Sequence, residues 1–128
     1  MEKIMGNKRN IRKLKYMHKF TIDTKKWGRG PKIFSSLEGS KLLRETDGKM
    51  CCLGFYLKSC GIQKKKLLGK ETPDDVVSCI PKQAKWLFGK NKNDTQELMT
   101  LNDVINKSRR REIAKIFAKH NVKVIFKD

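Results

Sequence analysis

The sequence predicts a small α+β domain, on three observations. A period-two apolar pattern recurs near each end of the chain, over residues 19–23 and 122–126. Between them lie several short stretches with apolar residues at helical spacing. Asp47-Gly48, a favoured two-residue turn, separates two short apolar segments and predicts a hairpin. The expected sheet is antiparallel or mixed, made of the N- and C-terminal strands plus that hairpin, with the short helices packed over one face. A length of 128 residues suits one core. The expected division is a basic N-terminal extension, 1–18, and a single domain, 19–128.

In the extension, Lys8, Arg9, Arg12, Lys13 and Lys15 surround Ile11, Leu14 and Met17, a pattern compatible with an amphipathic helix. Phe20 and Ile22 then mark the first strand. Trp27-Gly28-Arg29-Gly30-Pro31 reads as a turn, because two glycines and a proline do not sit inside a regular element. After the hairpin, Leu53, Tyr56, Leu57 and Cys60 form one helical face, and Gly61 stops the helix. Thr72-Pro73-Asp74-Asp75 has the chemistry of a helix start: a hydroxyl, a proline and two carboxylates at the positive end of the dipole. That short helix carries Val76, Val77 and Ile80.

Pro81 opens the next helix, with Ala84, Trp86 and Leu87, and Gly89 closes it; residues 89–93 read as an exposed loop. Asp94-Thr95-Gln96-Glu97 resembles a capping box, and Asp103 reads as another cap. Residues 109–119 form the clearest helix, with Ile113, Ile116, Phe117 and His120 on one face. Its first turn holds Arg109, Arg110 and Arg111, where the helix dipole disfavours cations, so solvation or an anionic partner is needed there.

Charge is the dominant compositional feature. Lys and Arg number 31 against 13 Asp and Glu, a formal net charge of +18. Residues 1–32 hold 11 basic and 2 acidic residues, and the remainder holds 20 and 11, so the excess is spread along the chain. Such a field attracts phosphate-bearing partners, although a lysine-rich proteome would also produce it. The expected phosphate-binding residues are Arg9, Arg12, Lys13, Lys25, Lys26, Arg29, Lys49, Arg109, Arg110 and Arg111. Arg29 stands out because Gly28 and Gly30 let the backbone approach a phosphate beside a guanidinium fork. Lys64-Lys65-Lys66 reads as a solvated face.

Four cysteines raise metal and thiol chemistry. Cys51 and Cys52 are adjacent, Cys60 and Cys79 stand far off, and no pair has the two-to-four-residue spacing of a zinc site. The reading is reduced, buried thiols with no metal and no cofactor. A cysteine nucleophile would need a base, and only His18 and His120 exist. No phosphate-loop or dinucleotide fingerprint is present, so a binding protein is expected rather than an enzyme. No apolar run reaches membrane length, and the start lacks a secretory signal, so a cytoplasmic protein with no membrane partner is expected. The expected partner is a nucleic acid or a nucleotide, and the alternative is an acidic face of another protein. Nothing specifies an oligomeric interface.

Trp27-Gly28-Arg29-Gly30, Gly48-Lys49-Met50-Cys51-Cys52-Leu53-Gly54-Phe55 and Cys60-Gly61-Ile62 together resemble a family of small phage and prophage accessory proteins. Thr72-Pro73 and Leu101-Asn102-Asp103 extend the resemblance over roughly residues 19–126. It implies a setting rather than an activity: inhibition of host defence by binding a protein, a nucleic acid or a nucleotide signal. The basic arm before Phe20 is an addition to that pattern.

Overall fold

The computed structural model describes residues 16–28, 41–104 and 107–128. Residues 1–15, with the expected amphipathic arm and Arg9, Arg12 and Lys13, lie outside them, as do Arg29, Gly30 and Pro31.

The terminal strands pair with each other. Strand β1, His18–Asp23, and strand β2, Val122–Lys127, form a two-stranded sheet. The pair is parallel, which corrects the antiparallel expectation, with His18 opposite Val122 and Asp23 opposite Lys127. Nearly the whole domain forms the crossover between these strands. Its last helix runs back along the sheet, so β2 returns in the direction of β1. Asn121 makes the reversal between that helix and β2 at φ 64°, a conformation asparagine tolerates. Its carbonyl accepts hydrogen bonds from the Met17 (2.8 Å) and His18 (3.3 Å) amides, which tie the chain entering β1 to the start of β2.

The expected hairpin does not form a ladder. A turn is present at Gly48, φ 73°, closed by the Arg44 amide on the Lys49 carbonyl (2.8 Å). Arg44 grips Asp47 through Nε (3.0 Å) and a second guanidinium nitrogen (2.7 Å). Beyond the turn one more bond joins the arms, from the Cys51 amide to the Lys41 carbonyl (2.9 Å), and the amides between take distant partners. Leu42 N–H donates to the Lys70 carbonyl (2.8 Å), and Met50 N–H donates to the Lys26 carbonyl (3.0 Å). The Arg44 hydrogen bonds hold the Asp47 carboxyl down at about 2 despite the opposing effect of burial. A depressed carboxyl stabilises the fold above its ordinary range and loses that contribution as pH falls toward about 2. Asp47→Asn is therefore expected to lower Tm at neutral pH, with the difference from wild type vanishing between pH 4 and 2 on thermal scans. A constant difference across that window would refute it.

Helix α1, Cys52–Ser59, carries the expected apolar face, and Gly61 ends it at φ 104°. A short helix, α2, spans Lys64–Leu67; its three lysines are exposed, and Leu67 is buried. The two helices expected after Thr72 and Pro81 are 3-10 helices, Pro73–Cys79 and Lys82–Leu87. Asp75 accepts from the Glu71 (3.1 Å) and Thr72 (3.3 Å) amides, as a carboxylate at a helix start should. Three residues per turn and a kink at Val76 replace the expected helical face. Val76 is buried while Val77 is 57% exposed.

Residues 89–93 are not a loop. Gly89–Asn91 is a 3-10 turn leading directly into helix α3, Lys92–Asp103. Asp94 thus lies inside the first turn of α3 rather than capping it, and Asp103 lies at its last residue. Helix α4, Arg109–Lys119, matches its expected bounds.

The core lies on one side of the sheet, where Phe20, Ile22 and Val122 point inward. Tyr56, fully buried, is its centre, with ring centroids 5.5 Å from Phe20, 5.2 Å from Phe117 and 5.7 Å from Trp86. Trp86 stacks flat on His120 at 4.0 Å, and His120 bonds Asp94 at 2.9 Å. Lys119 reaches the other Asp94 oxygen at 3.1 Å, so this one carboxylate joins the start of α3 to the end of α4.

Candidate functional site

The end of the molecule where both strands finish collects the cations. β1 runs into a 3-10 turn, Thr24–Lys26, which places Lys25 and Lys26 in solvent. Thr24 Oγ1 donates to the Lys127 carbonyl (3.2 Å) and the Asp128 carboxylate (2.9 Å), holding this turn against the end of β2. Lys49 arrives from the Gly48 turn. Its neighbour Met50 pairs with Lys26 and Gly28, and a Cβ on Gly28 would stand 3.2 Å from the Lys49 Cβ.

The first turn of α4 supplies the arginines. Arg109 donates to the carbonyls of Asn102 (3.2 Å) and Val104 (3.1 Å), at the negative end of α3. Its guanidinium lies 5.3 Å from the centroid of Trp27. Arg110 lies over Phe126 and forms a two-pronged pair with Asp128 at 2.8 and 3.3 Å. Arg111 is exposed. The three arginines at a positive helix end are thus partly answered within the chain, by helix carbonyls and by Asp128. The need for an outside anion inferred from the dipole is correspondingly smaller. Of the ten expected phosphate-binding residues, six are described, Lys25, Lys26, Lys49, Arg109, Arg110 and Arg111, and the segments that carry them meet at this end through the contacts of Thr24, Met50, Arg109 and Arg110. Lys127 joins them, a residue the sequence reading did not single out. The other four lie outside the described residues.

Beneath this surface is a polar junction. Asn102, 1% exposed, accepts from the Trp27 indole (2.7 Å) and the Cys52 amide (2.9 Å) through Oδ1. Its Nδ2 donates to the Gly28 carbonyl (2.9 Å) and to Asp103 (3.1 Å). One side chain therefore locks together three separate motif segments: Trp27-Gly28, Cys51-Cys52 and Leu101-Asn102-Asp103. The sequence signal was available, since Thr95, Leu98 and Asn102 share a face of α3 and the asparagine sits at a core position.

The adjoining cleft, about 200 Å³, is lined by Cys51, Cys52, Glu71, Thr72, Met99 and Asp103 among others. Its thiols are poorly suited to nucleophilic work. Burial pushes Cys51 up to about 11, with the Gly54 and Leu53 amides opposing, and drives Cys52 well above the ordinary range. Cys60 is half-buried and Cys79 exposed, and both line a separate open cleft of about 360 Å³. Among the described residues, no group of three or more His, Cys, Asp and Glu is arranged to hold a metal ion. His18 lies 2.8 Å from Ser59, but Ser59 Oγ already donates to the Tyr56 carbonyl at 2.6 Å, so the imidazole is placed as a donor rather than a base. No described helix is long and apolar enough to cross a membrane.

Comparison with known protein families, curated proteins and solved structures gave no match.

Proposed function

We propose that this chain is a nucleic-acid-binding protein whose contact surface is the basic end where β1 and β2 finish. The observation that carries the reading is the convergence of Lys25, Lys26, Lys49, Arg109, Arg110, Arg111 and Lys127 from four separate segments. Charges so grouped meet the regular charge spacing of a phosphate backbone and release its counterions, whereas scattered lysines gain less. In the phage setting that the motifs resemble, such a protein would act against host antiviral defence by occupying nucleic acid that the defence senses.

The test is charge reversal. Lys25→Glu/Lys26→Glu/Arg111→Glu is expected to weaken binding to a labelled oligonucleotide at least about a hundredfold at moderate salt. Reversing Lys64, Lys65 and Lys66 changes the net charge equally and should cost less than about tenfold. Equal losses would mean that only net charge matters and would refute a localised surface.

A second reading, a protein-binding inhibitor, is favoured by one feature. Val77, 57% exposed, borders an apolar cleft of about 370 Å³ with Ile80 and Phe88, and Lys85 lines it. A lysate partner that survives nuclease treatment and is lost in Val77→Asp would favour it.

A further inference from the structure

We infer that the open face of the β1–β2 pair is a DNA-reading surface that enters the major groove of a duplex. This rests on the nucleic-acid reading above and names its partner. Parallel sheets are ordinarily covered on both faces. Here one face carries the core, while Lys19 and Thr21 of β1 and Lys123, Ile125 and Lys127 of β2 are exposed on the other. Register sets these residues in rows: Lys19 beside Lys123, Thr21 beside Ile125, Asp23 beside Lys127.

The first row sets two like charges directly opposite each other on neighbouring strands, an arrangement that an anionic or acceptor-rich partner favours. The row types match what a major groove displays. Lysine donates to guanine O6 and N7, threonine donates or accepts, and an aliphatic side chain meets the thymine methyl. Dimensions agree as well. Paired strands lie about 4.8 Å apart, and a major groove about 12 Å wide admits a two-stranded ribbon. The rows span about 13 Å, four residues of strand. Lys127 joins this face to the basic end, so Lys25, Lys26 and Arg111 reach the flanking phosphates.

Single strands and RNA fit less well. Single-strand platforms stack bases on aromatic side chains, and the outward residues of β1 and β2 include none. Duplex RNA hides its bases in a deep, narrow major groove.

The full-length protein would be titrated, by fluorescence anisotropy, against a DNA duplex, the corresponding single strand and the corresponding RNA duplex. The expected order is DNA duplex tightest, by about tenfold or more. Lys19→Ala/Lys123→Ala should abolish that preference while leaving the weaker binding common to all three. Replacing guanine by 7-deazaguanine, which removes the N7 acceptor, should weaken wild type and leave the double variant unchanged. Lys123→Glu should raise Tm, by pairing with Lys19, and yet lower duplex affinity. If the double variant keeps the wild-type preference, or 7-deazaguanine has no effect, the groove inference fails while the nucleic-acid reading stands. If wild type binds none of the three, both fail. A dimer in sedimentation that Ile125→Asp dissociates, with no duplex preference, would assign this face to a second copy and overturn the inference.

Discussion

Asn102→Ala is expected to destabilise the protein by roughly 3–5 kcal/mol, because each buried hydrogen-bond partner withdrawn costs about 1–3 kcal/mol. Asn102 is 1% exposed and serves the Trp27 indole, the Cys52 amide and the Gly28 carbonyl at 2.7–2.9 Å. The loss is not confined to one element, since those three groups belong to the segment that follows the Thr24–Lys26 turn and to the start of α1. Asn102→Asp keeps the acceptor, loses the donation to Gly28 and sets a second carboxylate beside Asp103, so it should fall between wild type and alanine. Urea denaturation reads both. A loss under about 1 kcal/mol for the alanine variant would contradict the junction's role.

Gly54→Ala is expected to cost about 3 kcal/mol, against the usual sign for this substitution in a helix. Alanine is ordinarily favoured over glycine in a helix by about 1 kcal/mol. At position 54, however, a Cβ would overlap the Leu42 carbonyl oxygen and stand 2.8 Å from its carbonyl carbon. The obstacle is backbone, and it is pinned. Cys51 N–H donates to the Lys41 carbonyl (2.9 Å) and Leu42 N–H to the Lys70 carbonyl (2.8 Å). Relief therefore requires moving the 41–44 segment off α1, which opens the core around Leu42 and Leu43. Thermal unfolding of the variant should show a much reduced Tm. A Tm at or above wild type would mean that this close approach is not as described.

These two residues also show what sequence reasoning reached and where it stopped. Local patterns carried the elements that bury one clean face: α4 has its expected bounds, and β1 and β2 lie within a residue of theirs. Strand direction was not legible, because it depends on how the long crossover packs rather than on either strand's residues. The hairpin failed for a related reason. Asp47-Gly48 did produce a turn, but Lys70 and Lys26 competed for the arms from distant segments. Gly54 lies inside the 48–55 motif, yet only the packed structure shows the Leu42 carbonyl that excludes a side chain there.

The candidate surface was legible in part. The basic residues were visible as types, and the segments that carry six of them meet at one end of the fold. The convergence itself arises from the parallel pairing, which brings both strand ends and the start of α4 to one place. The local sequence of Asp94 suits a cap; in the fold it clamps Lys119 and His120 instead. Lys19 and Lys123 acquired meaning only once the register set them side by side.

The most direct test of the central claim is the salt dependence of DNA binding by the wild-type protein. Lys25, Lys26, Lys49, Arg111 and Lys127 contacting phosphate would give log K falling linearly against log salt with a slope of about −4 to −5 for duplex DNA. The Lys25→Glu/Lys26→Glu/Arg111→Glu variant would flatten that slope by about three. A flat dependence, or no binding at low salt, would contradict the account and turn attention to the apolar cleft at Val77 as the surface through which this protein acts.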